Sequence, residues 1–274
     1  MKNHLRFLIG MLMSLAIMGA TPSIASINPP RLIIFGDSYS TADENLVWVD
    51  LLVQHLFRIQ RINYARGGAR ATDNPNHDRD LPEQIDLYLE DLNTTGSSPH
   101  INDLHTVWNG GNDLLSNLDP IIVADAVREQ VQRLIDEGAT QIVLPDMVPL
   151  GLMPAFNAYP QAVEARNAQA AAFVDRLRKH VRLLQTDNPG VLLKVVRVHE
   201  LVRCVLREPS KYGLTNWTDR FDQAPAGANQ SAYLWQDNVH MTPVGHEIIG
   251  HFAALVLKHR NYEYMSYPGR CLGW

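Results

Sequence analysis

The chain has 274 residues, of which 46% are apolar and 19% charged. That balance excludes a disordered or coiled-coil protein. Lys and Arg total 24 against 29 Asp and Glu, giving a net charge of −5 and no long basic stripe, so nucleic acid is not an expected partner.

Lys2, His4 and Arg6 make a basic start, and Phe7 to Ala20 is an apolar run of 14 residues. Ser23-Ile24-Ala25 then offers small residues where a signal peptidase cuts. The run is short for a bilayer span. Residues 1–25 are expected to be a secretory signal peptide, and 26–274 a single exported domain of net charge −7, in the periplasm or the medium. Export makes a disulfide between Cys204 and Cys271 the plain expectation, with two buried thiols as the alternative. Two cysteines alone do not make a structural zinc site.

The remaining chain alternates strand and helix patterns. Strands are predicted at residues 31–35, 61–65, 105–109, 141–144 and 191–198. Helical spacing covers 45–57, 81–92, a stretch from Val123 to Ile135, then 160–181, 200–206 and 242–257. Residues 66–80 read as a long polar loop. Five strands separated by helices predict one parallel sheet in a three-layer α/β/α sandwich. In such sheets ligands bind beyond the carboxyl ends of the strands.

Four polar clusters fall near strand ends or just before the last helix. Gly36-Asp37-Ser38-Tyr39-Ser40 follows the first strand, and a serine at a helix start is either a nucleophile or a cap. Asn63-Tyr64-Ala65-Arg66-Gly67-Gly68-Ala69 carries paired glycines, which suit either close backbone approach to a ligand or an ordinary turn. Gly110-Gly111-Asn112-Asp113 sets an amide side chain at the third strand's end, either as a donor or in a local turn. Asp237-Asn238-Val239-His240 precedes the last helix, and on one helical turn the carboxylate would approach the imidazole.

Together the four clusters resemble the GDSL family of SGNH hydrolases over residues 31–258. Leu144-Pro145-Asp146-Met147 and Tyr212-Gly213-Leu214-Thr215-Asn216 resemble its secreted lipase, phospholipase and acyltransferase-like branch. The resemblance implies a flavodoxin-like sandwich and ester hydrolysis or acyl transfer. It implies Ser38 as nucleophile, His240 as base and Asp237 as its orienting carboxylate. The Ser38 N–H, the Gly68 N–H and the Asn112 amide would form the oxyanion hole. Tyr39, Thr41 and Met241 stand where the family usually has leucine, aspartate and proline. No metal or cofactor is expected, because each developing charge has a protein partner, and His246 is expected to be a packing or hydrogen-bonding residue.

The expected substrate is a carboxylic ester of a lipid, with transient contact to a membrane surface. An acyltransferase, a carbohydrate acetylesterase and a non-catalytic binding module of the same fold are the alternatives. Tyr39, Met147, Val148, Leu150, Leu152, Met153 and Phe156 are expected either to line an acyl groove or simply to pack on the core. The aromatic tail of Tyr262, Tyr264, Tyr267 and Trp274 would add a binding surface or a structural cap.

Overall fold

The computed structural model describes residues 31–41, 46–54 and 60–258. Residues 1–25, expected to be a signal segment, the aromatic tail and Cys271 lie outside them, so the described residues contain no cysteine pair.

Five strands form the sheet: β1 (Arg31–Gly36), β2 (Gln60–Asn63), β3 (Leu104–Trp108), β4 (Gln141–Pro145) and β5 (Leu192–Val196). All pairings are parallel, in the order β2-β1-β3-β4-β5. Every residue of β3, and all of β1 after Arg31, is buried. Strands buried along their length in this way are covered on both faces.

The helices are α1 (Trp48–Leu52), α2 (Leu81–Thr94), α3 (Gly111–Leu115), α4 (Pro120–Asp136), α5 (Pro160–Asp187), α6 (Val198–Val205) and α7 (Pro243–Lys258). α4 packs against α2 and α5, while α1 packs against α7. Right-handed crossovers from this strand order put the two groups on opposite faces, which makes the sandwich. α4 begins with the Asp119 carboxylate accepting the Ile121 N–H at 2.8 Å, followed by Pro120. α5 runs past the predicted end at Val181 because Leu184 continues its buried stripe.

Three elements have no counterpart in the sequence pattern. α3 is a single short turn beyond β3. β6 (Asn216–Arg220) and β7 (Tyr233–Trp235) form a separate two-stranded parallel ribbon. β6 is polar and largely exposed, so it shows no apolar alternation to read.

The connection order reverses between β1 and β3, the neighbours on either side of which lead in opposite directions. That switch point opens a crevice at the carboxyl ends of the two strands. The chain segments after β1 and β3 carry Ser38 and Asn112.

Candidate active site

Gly36 ends β1 against β3 with no room for a side chain. A Cβ there would lie 2.7 Å from the Trp108 carbonyl oxygen and 2.9 Å from Ser40 Oγ. The Gln84 side chain, from α2, holds Gly36 from both sides. Its carbonyl accepts the Gly36 N–H and its amide donates to the Gly36 carbonyl, each at 2.8 Å. Gln84 is fully buried, and only its polarity within an otherwise apolar helix stripe marks it in the sequence.

Ser38 then sits in a tight turn rather than at a helix start. The Ser40 N–H donates to the Asp37 carbonyl at 2.9 Å, and Asp37 Oδ1 accepts the Tyr39 N–H at 3.0 Å. α1 begins only at Trp48. Burial pushes the Asp37 carboxyl up to about 7, against the pull of the Tyr39 N–H and His240.

Asp237 and His240 also lie off any helix. They occupy the loop between β7 and α7, closed at its base by Trp235 and Met241 and by the Gln236 N–H bond to the His240 carbonyl at 2.9 Å. Asp237 Oδ1 accepts the N–H groups of Val239 and His240, each at 2.8 Å, and its Oδ2 meets His240 Nδ1 at 2.7 Å. The carboxylate therefore both turns the loop and orients the imidazole. Burial raises the Asp237 carboxyl, but these hydrogen bonds outweigh it and hold it below its ordinary value. His240 Nε2 reaches Ser38 Oγ at 2.9 Å. Serine, histidine and aspartate thus form one continuous chain from two distant parts of the sequence.

Tyr39 links the two loops from behind. Its hydroxyl donates to the Val239 carbonyl at 2.6 Å, and its ring meets Trp108 edge-on with centroids 5.0 Å apart. His246, from α7, lies 5.4 Å from the same ring and is buried, as expected of a packing residue. Burial pulls its imidazole down to about 3.

Gly68 and Asn112, which line one pocket with Ser38, come from the 66–80 loop and α3. Gly68 has φ +81°, a left-handed conformation that glycine adopts without strain. Asn112 donates from its amide to the Ala69 carbonyl at 2.9 Å, which ties the two segments and leaves the amide's second hydrogen for another acceptor. The buried Asp113 carboxylate holds the loop further, accepting the Ala71 N–H at 2.8 Å, the Thr72 N–H at 3.1 Å and the Thr72 hydroxyl at 2.6 Å.

A pocket of about 320 Å³ connects these groups. Ser38, Gly68, Asn112 and His240 line it with Tyr39, Trp108, Leu115, Met147, Val148, Leu150 and Met153. Leu152 and Phe156, expected in an acyl groove, are not in its wall. Both pack against the core instead, and the Phe156 ring takes the Arg166 guanidinium over its face at 4.6 Å.

Such an arrangement can deprotonate the serine, present it to an electrophile in a mostly apolar cavity, and offer N–H donors nearby. The sequence pattern of the family described as GDSL-like lipase/acylhydrolase matches residues 32–253. The phosphatidylcholine-sterol acyltransferase of Aeromonas hydrophila is 25% identical over 183 residues, covering 62% of this chain and 52% of that protein. The chain thus spans about half the length of that relative. A solved structure of a lipolytic G-D-S-L family member from Veillonella parvula has the same fold, with a TM-score of 0.54 at 14% identity, over 82% of this chain and 97% of that one.

Proposed function

The chain belongs to the family of GDSL-like lipases and acylhydrolases, and from that premise we propose a serine esterase acting on fatty-acid esters. Single-chain lipids such as lysophospholipid are its preferred substrates, ahead of acetylated sugars. The observation that carries this reading is the 2.9 Å contact between Ser38 Oγ and His240 Nε2 beside a mostly apolar pocket.

His240 Nε2 takes the Ser38 proton as Oγ attacks the ester carbonyl carbon. The Asp237 carboxylate keeps the imidazole in register and stabilises the imidazolium. The Ser38 N–H, the Gly68 N–H and the Asn112 amide receive the oxyanion; losing one such donor costs roughly 3 kcal/mol of transition-state stabilisation. The tetrahedral intermediate then collapses, the alcohol leaves with the proton from His240, and an acyl-enzyme remains. Water, deprotonated by the same histidine, attacks the acyl carbon and releases the fatty acid and free Ser38.

The pocket volume of about 320 Å³ lies near the lower end of ligand pockets and suits one acyl chain better than two. A second, polar pocket of about 460 Å³ is bounded by Asn157, Arg220 and Asn238, and Asn238 sits between Asp237 and His240. A polar head group would find partners there. No helix among the described residues is long and apolar enough to cross a membrane, and contact with lipid is proposed as transient.

A chain-length series of one ester type tests the reading. Each methylene buried adds about 0.8 kcal/mol until the pocket is full, so kcat/KM should rise with acyl length and then level. A flat or falling series with faster turnover of acetylated sugars would overturn the lipid assignment. The likeness to a phosphatidylcholine-sterol acyltransferase favours one second reading, acyl transfer to an alcohol. Running the assay with and without a sterol acceptor, and following the sterol ester, separates transfer from hydrolysis.

The proposed setting is outside the cytoplasm, with residues 1–25 removed and Cys204 joined to Cys271. A mature chain starting at Ser26 and a cross-linked peptide pair under non-reducing conditions are the expected results.

A further inference from the structure

The 66–80 loop is held at one end by Asp113, whose two oxygens share three donors. At its other end stands Asp80, also fully buried, whose hydrogen bonding is one-sided. Asp80 Oδ1 accepts the Arg70 N–H at 2.8 Å and lies 3.0 Å from His77 Nδ1. Asp80 Oδ2 is enclosed and has no hydrogen-bond partner among the described residues. Asp80 is the residue immediately before α2, where an aspartate ordinarily accepts helix N–H groups, yet its side chain makes no such bond. One turn on, Glu83 Oε2 is in the same condition, enclosed and unpartnered. A buried carboxylate oxygen with nothing donating to it is costly to keep, and a cation is one way to satisfy it.

Asp73 completes the group. One carboxylate oxygen from each of Asp73, Asp80 and Glu83 lies within 4.8 Å of the other two. Two oxygens that flank one calcium at about 2.4 Å are separated by at most that distance. The donors are all hard carboxylate oxygens, and Asp73 is exposed, so water can fill the remaining positions of a large, flexible coordination shell. The two arginines at the start of the loop are engaged elsewhere. Arg66 pairs with Asp78 at 3.4 Å, and Arg70 donates to Ser116 Oγ at 2.8 Å.

We propose that Asp73, Asp80 and Glu83 bind a calcium ion that fixes the 66–80 loop and, through it, Gly68. The link is short. Arg70, two residues after Gly68, donates its backbone N–H to Asp80. His77, against Asp80, places Nε2 3.1 Å from the Gly67 carbonyl, and a Cβ on Gly68 would meet that same ring at 3.4 Å. The ion would therefore sit outside the reacting groups and act by holding the turn that presents the Gly68 N–H. That last consequence rests on the proposed oxyanion role of Gly68; the binding itself does not.

The test uses the full exported chain, stripped with chelator and titrated with calcium alone by calorimetry and by thermal melting. Binding at one site and a rise in Tm of several degrees are expected. Asp73→Asn removes a ligand that makes no other described hydrogen bond, and it should abolish both effects while the stripped variant melts with the stripped parent. Glu83→Gln is the second variant and should weaken binding at least tenfold. Absence of binding up to about 10 mM calcium, ten times the weakest class of extracellular site, would overturn the proposal. So would unchanged affinity in both variants, which would put the ion elsewhere, or equal binding of magnesium. In the ester assay, calcium should raise kcat several-fold with KM nearly constant. Calcium binding without any change in kcat would leave the site and remove its role at Gly68.

Discussion

At the residue scale, the proposed chemistry depends on a few side chains that also have structural duties. Asn112 ties α3 to the 66–80 loop through the Ala69 carbonyl while its amide faces the pocket. Asn112→Ala should lower kcat by about a hundredfold to a thousandfold with KM little changed, because the lost donor serves the transition state. If the residue acted only as a tie, the variant would lose about 1 kcal/mol of stability and keep its kcat, so melting and turnover are measured together. Tyr39 is a different case, because the family's usual leucine has no hydroxyl to offer. Tyr39→Phe keeps the ring against Trp108 but leaves the Val239 carbonyl without its 2.6 Å donor. The expected cost is about 1–2 kcal/mol of stability, with a several-fold fall in kcat as the Asp237–His240 loop loosens. Tyr39→Leu should be worse, since the ring contacts to Trp108 and His246 go as well. Turnover in Tyr39→Phe equal to the parent's would show that the loop is rigid without this bond.

At the element scale, the sheet provides fixed strand ends and the loops provide the chemistry. The strands were legible because buried parallel strands leave largely apolar runs, unbroken from Leu32 to Phe35 and interrupted only by Lys194 from Leu192 to Val196. Ser38, Gly68, Asn112, Asp237 and His240 were legible chiefly through resemblance, since each alone also suits a cap or a turn. Asp237 and His240 meet as their spacing allows, but in a loop before the last helix turned by Asp237's own carboxylate rather than on a helical turn, a device that leaves no periodic signal. Gln84 and Asp113 went unread for a related reason. Their roles come from backbone groups 48 and 41–42 residues away, and no local spacing records such partners. Asp113 is the stronger test of how the loop is held. Asp113→Ala removes three hydrogen bonds to a buried carboxylate and should cost about 3 kcal/mol or more. The 66–80 loop should then become the first site of limited proteolysis, whereas α5 and β4 stay protected. Unaltered cleavage of that loop would mean that Asp80 and Asn112 suffice to hold it.

At the scale of the whole molecule, the core encloses several titratable groups, and they pull stability in opposite directions. Burial raises Asp37 to about 7 and Asp146 to about 6, the latter against the Arg178 guanidinium and the His199 N–H. Burial lowers His246 to about 3 and His105 to about 4. A carboxyl that prefers to stay protonated in the fold adds stability below its unfolded value of 3.8, and that stability is lost as pH rises to the folded value. Asp37 therefore works against the fold progressively between about pH 4 and 7, and Asp146 between about 4 and 6. A histidine that prefers to stay neutral has the reverse effect, costing stability as pH falls below 6.5 toward its folded value. The slopes oppose each other across the same range, so the parent's melting temperature should change little between pH 4 and 6.5. Asp37→Asn removes one side of that balance. The asparagine carbonyl can still accept the Tyr39 N–H but has no charge to desolvate. The stability of the variant relative to the parent should climb steadily from pH 4 to pH 7, then level. About 1.4 kcal/mol per pH unit limits the total to about 4 kcal/mol. Any fixed cost of the substitution displaces the whole difference curve without changing its slope, so the slope is the quantity to read. Thermal or denaturant melts of both proteins at half-unit intervals supply it, and a difference that stays flat from pH 4 to 7 would show that Asp37 is ionised in the fold throughout.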